Sequence, residues 1–168
     1  MSEFAIGGNE SLFRIKNAEL KNDWDWIYYT DEFGGCLEVS VDNVTGEMIY
    51  IDYTSLGIVE ESNVIIPQKK DMQKFPYVVH STSSSNQDAE KEDTFSICFD
   101  KKNMEIKFGS DRVPNVYSET DRMLCFYDED LRPTSIIITD LSEEEYKTLQ
   151  LYAKLSEISQ KKRSSYQK

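Results

Sequence analysis

Apolar and polar residues alternate with a period of two through most of this 168-residue chain. That spacing belongs to strands that bury one face. "CLEVSV" (36–41) sets Leu37, Val39 and Val41 against Glu38 and Ser40. "DNVTG" (42–46) supplies the Asp, Asn and Gly of a turn, and "EMIYIDY" (47–53) returns as a second strand. A second hairpin runs through "TFSICF" (94–99), "DKKN" (100–103) and "MEIKF" (104–108), with Phe95, Ile97, Phe99, Met104, Ile106 and Phe108 on the apolar faces. A third joins "RMLCFY" (122–127) through "DEDLRP" (128–133) to "TSIIIT" (134–139), where Pro133 suits the point at which a turn releases into a strand. Weaker strands are predicted at 26–29, 63–67 and 76–80. The first two hairpins share a strand ending in Asp, a polar turn and a Met opening the return strand. Coincidence explains that likeness better than duplication.

The pattern changes at both ends. Residues 139–162 carry a helical period, opened by a capping box from Ser142 to Glu145 with three Glu in the first turn and Lys at the far end. Lys147, Gln150, Lys154, Glu157 and Lys161 form a narrow polar wedge, and apolar residues cover most of the rest. Such a helix either packs widely on a sheet or shares a face with a second copy of the chain. An early helix is expected over 8–23, with Leu12, Phe13, Ile15 and Leu20 apolar. Residues 81–94, "STSSSNQDAEKEDT", hold no aliphatic side chain larger than Ala and read as a polar surface loop. Neither side of it would bury much surface alone, so residues 1–168 are read as a single domain. The fold class expected is α+β, with antiparallel β-hairpins forming a curved sheet or open barrel and the C-terminal helix packed on it.

Charge narrows the partners. The chain has 31 Asp and Glu against 19 Lys and Arg, a net charge of −12. Four of the basic residues and no acidic ones lie in 161–168, so the remaining residues carry −16. Such a field repels nucleic acid and anionic membrane and speeds encounter with a basic protein. Cys36, Cys98 and Cys125 contain no C-x-x-C pair, and the last two sit in apolar runs as small hydrophobes. No stretch approaches the roughly 18 apolar residues of a membrane span, and no basic, apolar leader opens the chain. A cytoplasmic protein is expected.

Few enzyme motifs survive inspection. The one His, His80, ends a predicted strand without visible partners for a triad or a zinc site. "IGGNES" lacks the rest of a phosphate loop, and no G-x-S-x-G occurs. Paired carboxylates such as Asp23/Asp25, Asp31/Glu32 and Asp128/Asp130 stand where turns want them, and "DEDLRP" lacks the Gly and the later Glu of a calcium loop. No catalytic residue, metal or cofactor is assigned.

One stretch stands apart. "NDWDWIYYTDEF" (22–33) sets two Trp and two Tyr among four carboxylates. As a strand it places Trp24, Trp26 and Tyr28 on one face and Asp25, Ile27 and Tyr29 on the other. At least one Trp is expected in the core. Trp and Tyr also anchor binding hot spots, while carboxylates steer a basic partner into register. The candidate contact residues are therefore Trp24, Trp26 and Tyr28, with Asp23, Asp25, Asp31 and Glu32. A second acidic surface combines Asp128, Glu129 and Asp130 with the "SEEE" helix start.

Two resemblances bear on these readings. The pieces "FSICFD", "MEIKFGS", "SE" (118–119) and "LCFYDEDLRPTSIIITDLS" within 94–141 resemble a small bacterial β-rich domain of unknown function, in which Gly stands at the place of Leu131. That resemblance implies a β fold and no activity. The whole chain resembles in general type the bacterial toxin-immunity proteins, including partners of contact-dependent inhibition toxins: short, acidic, α+β and without a catalytic motif. It implies a non-enzymatic inhibitor that covers the basic cleft of a toxin domain, with a nuclease the expected toxin. The alternatives are a phage-type inhibitor, a secretion chaperone dimerised through the C-terminal helix, and a metal-dependent hydrolase using paired carboxylates.

Overall fold

A computed structural model describes residues 3–8, 11–19, 21–75, 94–109 and 111–166. The elements are β1 (Glu3–Ile6), β2 (Phe13–Lys16), β3 (Trp24–Thr30), β4 (Cys36–Asp42), β5 (Met48–Ser55), β6 (Val59–Glu61), β7 (Gln73–Lys74), β8 (Phe95–Phe99), β9 (Met104–Phe108), β10 (Val116–Glu119), β11 (Met123–Tyr127), β12 (Pro133–Ile138) and α1 (Glu143–Tyr166). The α+β class holds. The strands form two sheets rather than one curved sheet or a barrel. The first runs β1-β2-β5-β4-β3 and is antiparallel throughout. The second runs β6-β8-β9-β12-β11-β10-β7, with parallel pairs only at its two ends.

The three predicted hairpins are present as β4–β5, β8–β9 and β11–β12. The first lies in one sheet and the other two in the second. Inner faces meet in a common core of Phe13, Ile15, Leu37, Val39, Ile51 and Tyr53 from the first sheet with Ile97, Phe99, Ile106, Phe108 and Ile136 from the second. Ring contacts bridge the sheets, Tyr29 to Phe108 at 4.9 Å and Tyr53 to Phe95 at 6.0 Å. Edge-on pairs of this kind add to the burial of area.

Every residue of β12 is buried, because its outer face is also covered. Val64, Phe126 and Ile137 form a small cluster there with Met72, Tyr117 and Leu124. The predicted strand at 63–67 is instead this irregular cover, and it leaves Ile65 and Ile66 exposed. Apolar content made it strand-like, but Val64 packs as a plug while its N–H donates to Asp100. The early helix over 8–23 is also corrected. Phe13 and Ile15 alternate with Arg14 and Lys16 in β2, whose buried face decides the matter over helical spacing. The predicted strand 76–80 and residues 81–93 of the polar loop lie outside the described residues.

Helix α1 runs against β6. Leu149 and Tyr152 enter the core, the Tyr152 hydroxyl donates to the Leu12 carbonyl at 2.8 Å, and the buried Ser156 hydroxyl donates to the Gly57 carbonyl at 2.6 Å. The capping box forms as expected: the Glu145 N–H donates to Ser142 Oγ, and the Ser142 N–H donates to Glu145 Oε2. Arg122 then grips Glu145 through two hydrogen bonds.

Candidate functional site

Strand β3 is the edge of the first sheet and pairs with β4 over seven consecutive residues without a bulge of its own. Its alternation is as the sequence implies, but the faces fall the other way from the core expectation. Tyr29 is 4% exposed and Ile27 half-buried, whereas Trp24, Trp26 and Tyr28 are 43%, 41% and 45% exposed. Neither Trp is in the core. The reason is register: Ile27 and Tyr29 stand opposite the buried Val39 and Leu37 of β4, which sets Trp24, Trp26 and Tyr28 on the outer face.

That outer face is polar across the sheet. Register places Trp26, Ser40, Tyr50, Lys16 and Glu3 in one row, and Tyr28, Glu38, Asp52, Arg14 and Ala5 in the next. Arg14 donates to both oxygens of buried Asp52, at 2.6 and 3.1 Å, and lies over the Tyr50 ring. The positive charge there is thus engaged within the sheet, while the β3 end of both rows carries rings. At the start of β3 a hollow of about 560 Å³ is lined by Lys21, Asn22, Asp23, Trp24, Asn43 and Val44.

The carboxylates divide into two kinds. Asp23, Asp25 and Glu32 are exposed. Asp25 shares the inner-face parity of Ile27 and Tyr29, so it sits across the strand from the rings rather than beside them. Asp31 is corrected as a contact residue: it is 8% exposed, and its oxygens are spent inside the protein. Oδ1 accepts from the Phe33 and Gly35 N–H groups, and Oδ2 accepts from the Ile58 N–H at 2.6 Å. A β-carbon on Gly57 would stand 1.7 Å from that carboxylate, so the backbone closes on it directly. Arg163, near the basic end of α1, lies over Gly34 in the same turn.

Asp128 is corrected for the same reason. It is 5% exposed, accepts from the Asp130 and Arg132 N–H groups, and pairs with the Arg132 guanidinium at 2.8 Å. Glu129 and Asp130 remain exposed, Asp130 beside Arg132. They do not join the acidic helix start. The six residues of β12 separate the two ends, a span of roughly 20 Å. Glu143 is paired with Lys147 and Glu145 with Arg122.

Sequence reasoning missed that 31–35 and 128–132 form the same turn. In each, the first Asp donates its N–H to the fifth carbonyl, and its own carbonyl accepts from the fourth N–H. The fourth residue has positive φ, 84° at Gly34 and 59° at Leu131. The shared "DE" opening was the available signal. Leu131 adopts a backbone that favours glycine, and it is retained by packing against the core.

The remaining chemistry is sparse. Burial pushes the Cys98 thiol up to about 11 and the Cys125 thiol up to about 12, so both stay protonated at neutral pH. Among the described residues no group of three or more His, Cys, Asp or Glu is arranged to hold a metal ion. No helix among the described residues is long and apolar enough to cross a membrane. His80 lies outside the described residues. On α1, Leu151, Leu155 and Ile158 form an exposed apolar stripe at 54%, 44% and 51%. No protein-family model matches this chain, and no curated protein matches it in sequence.

Proposed function

We propose that this chain is a non-enzymatic acidic binding protein of the immunity type, acting in the cytoplasm to cover the basic cleft of a toxin domain, a nuclease by preference. One observation carries the reading: three large rings stand side by side and two-fifths exposed on an edge strand of a chain with net charge −12. Exposed Trp and Tyr in a row are costly to leave wet and are the side chains that dominate binding energy. The long-range negative field selects a cationic partner and raises its rate of encounter. Asp23, Asp25 and Glu32 are the charges available for this, with Trp24, Trp26 and Tyr28 as anchors.

The test uses the tagged full chain in its native cells, alongside a Trp24→Ala/Trp26→Ala variant and an Asp23→Asn/Asp25→Asn variant. The wild-type chain should capture a basic protein that is toxic when expressed alone and harmless when co-expressed. Both variants should lose capture and protection. Capture that is indifferent to both pairs of substitutions, or a purified chain that turns over a substrate, would overturn the reading.

The open stripe of Leu151, Leu155 and Ile158 supports a second reading, a homodimeric chaperone joined through α1. Light scattering on the full chain separates the two. A dimer dissociated by Leu155→Glu favours the chaperone, and a monomer removes it.

A further inference from the structure

The hydrogen-bond parity of β3 singles out how a partner would engage it. The Asn43 N–H donates to the Asp23 carbonyl at 3.1 Å, and the Asp31 N–H donates to the Gly35 carbonyl at 3.1 Å. Both pairs lie on the β3–β4 register, in which partners sum to the same number as Trp24 with Asp42 and Thr30 with Cys36. In an antiparallel ladder, alternate residues turn both backbone groups to the same neighbour. The odd residues from Asp23 to Asp31 therefore face β4. Trp24, Trp26, Tyr28 and Thr30 turn their N–H and C=O groups outward, where no strand pairs with them among the described residues. Among the described residues, those with exposed rings are those whose backbone groups meet no strand.

Other edges are blunted. Among the described residues β1 has four residues, β6 three and β7 two, against seven in β3. Very short edge strands are a common protection against unwanted pairing, and a long, unbulged one is a template for addition. The charge placement agrees. Rings lie on one face of β3 and Asp25 on the other, so a ligand resting on the outer face alone cannot touch both. A strand laid along the edge reaches both.

We propose that the partner binds by strand addition: an extended basic segment pairs antiparallel with the free edge of β3, through the backbone of Trp24, Trp26, Tyr28 and Thr30. Its outer-face cations pack on the rings, and its register follows the sheet's own antiparallel sense. The inference rests on the acidic-binder reading above and specifies its mode. A second copy of the chain is a poorer occupant than a basic segment, since each copy carries the same net charge of −12.

The experiment titrates the isotopically labelled full chain with a capped octapeptide of alternating arginine and threonine. Two further peptides are N-methylated, one at the arginines and one at the threonines. In antiparallel addition the arginines share the ring face and turn their backbone groups to β3. Methylation there should weaken binding about tenfold or more, while methylation at the threonines leaves it unchanged. At saturation the amides of Trp24, Trp26, Tyr28 and Thr30 should exchange about tenfold more slowly, from fast in the free chain. Three peptides of equal affinity with those amides unprotected would overturn strand addition and leave the acidic-binder reading standing. A parent peptide that does not bind overturns strand addition as well. Parent-peptide affinity that does not weaken as salt is raised would instead remove the acidic-binder reading. Protection of the same amides without peptide, growing with protein concentration, would assign the edge to a second copy and overturn the inference.

Discussion

Tyr29 and Trp26 stand three positions apart on β3, and parity decides their fates. Tyr29 is buried against Phe108, so truncating it leaves a void between the sheets. Tyr29→Ala should cost about 3–5 kcal/mol in urea unfolding. Trp26→Ala should cost less than about 1 kcal/mol, since its ring is 41% exposed and fills nothing in the core. A large loss of stability in Trp26→Ala would show that its ring holds the fold. Asp31 illustrates the opposite displacement, from expected surface charge to buried brace. It accepts three backbone N–H groups, from Phe33, Gly35 and Ile58. Asp31→Ala should destabilise by about 3 kcal/mol, because it leaves buried donors unpaired. Gly57→Ala should be at least as damaging, since its β-carbon would overlap the same carboxylate. Equal stability of either variant and wild type in urea would refute the brace.

At the scale of elements, the parts that were legible are those whose signals are local. The Ser142–Glu145 box reads directly from spacing and forms as read. Ser142→Ala should lower stability by about 1 kcal/mol, visible as earlier thermal loss of helical circular dichroism, and Ser142→Asp should restore it. The three hairpins were legible because their turns carry Asp, Asn, Gly and Pro and their strands alternate. What was not legible depends on distant chain. Phe13 and Ile15 could be read into a helix because a four-residue strand shows barely two alternations. Residues 63–67 look like a strand until Phe126 and Ile137 call for a cover on their own outer face. The faces of β3 were readable, but not which one is buried. That depends on the register with β4, which sets Ile27 and Tyr29 opposite the buried Val39 and Leu37. The candidate site inherits this: its rings were found from sequence, and its free backbone edge was not.

For the whole molecule, the excess of carboxylates has two opposing consequences for stability. Mutual repulsion under a net charge of −12 opposes folding at neutral pH and fades as acid lowers that charge. The braced carboxylates act the other way. The Thr45 N–H, with help from Asn22 and Val44, holds Asp42 below the usual range. Burial works against charge on Asp100 and Glu145, yet the Lys102, Asn103 and Val64 N–H groups keep Asp100 low, and Arg122 with the Ser142 N–H keeps Glu145 low. Lys69, then Lys74, draws Glu119 down to about 2 from an ordinary 4.5. A carboxylate held low in the folded state binds fewer protons there than in the unfolded chain. Its stabilisation is therefore complete above the ordinary pKa and is lost as pH falls through the folded one. For Glu119 that window runs from 4.5 to about 2, and its exposure to solvent keeps the contribution small. The four together should tip the balance once repulsion has faded. Urea midpoints should rise slightly from pH 7 to about pH 5 and then fall steadily towards pH 2. A Glu119→Gln/Glu145→Gln chain should lose part of that acid fall. High salt should flatten the upper limb, because only the exposed repulsion is screened. Midpoints that kept rising below pH 4 in wild type would mean that repulsion outweighs the braces, and the charges of this chain would then be a burden on its fold at every pH.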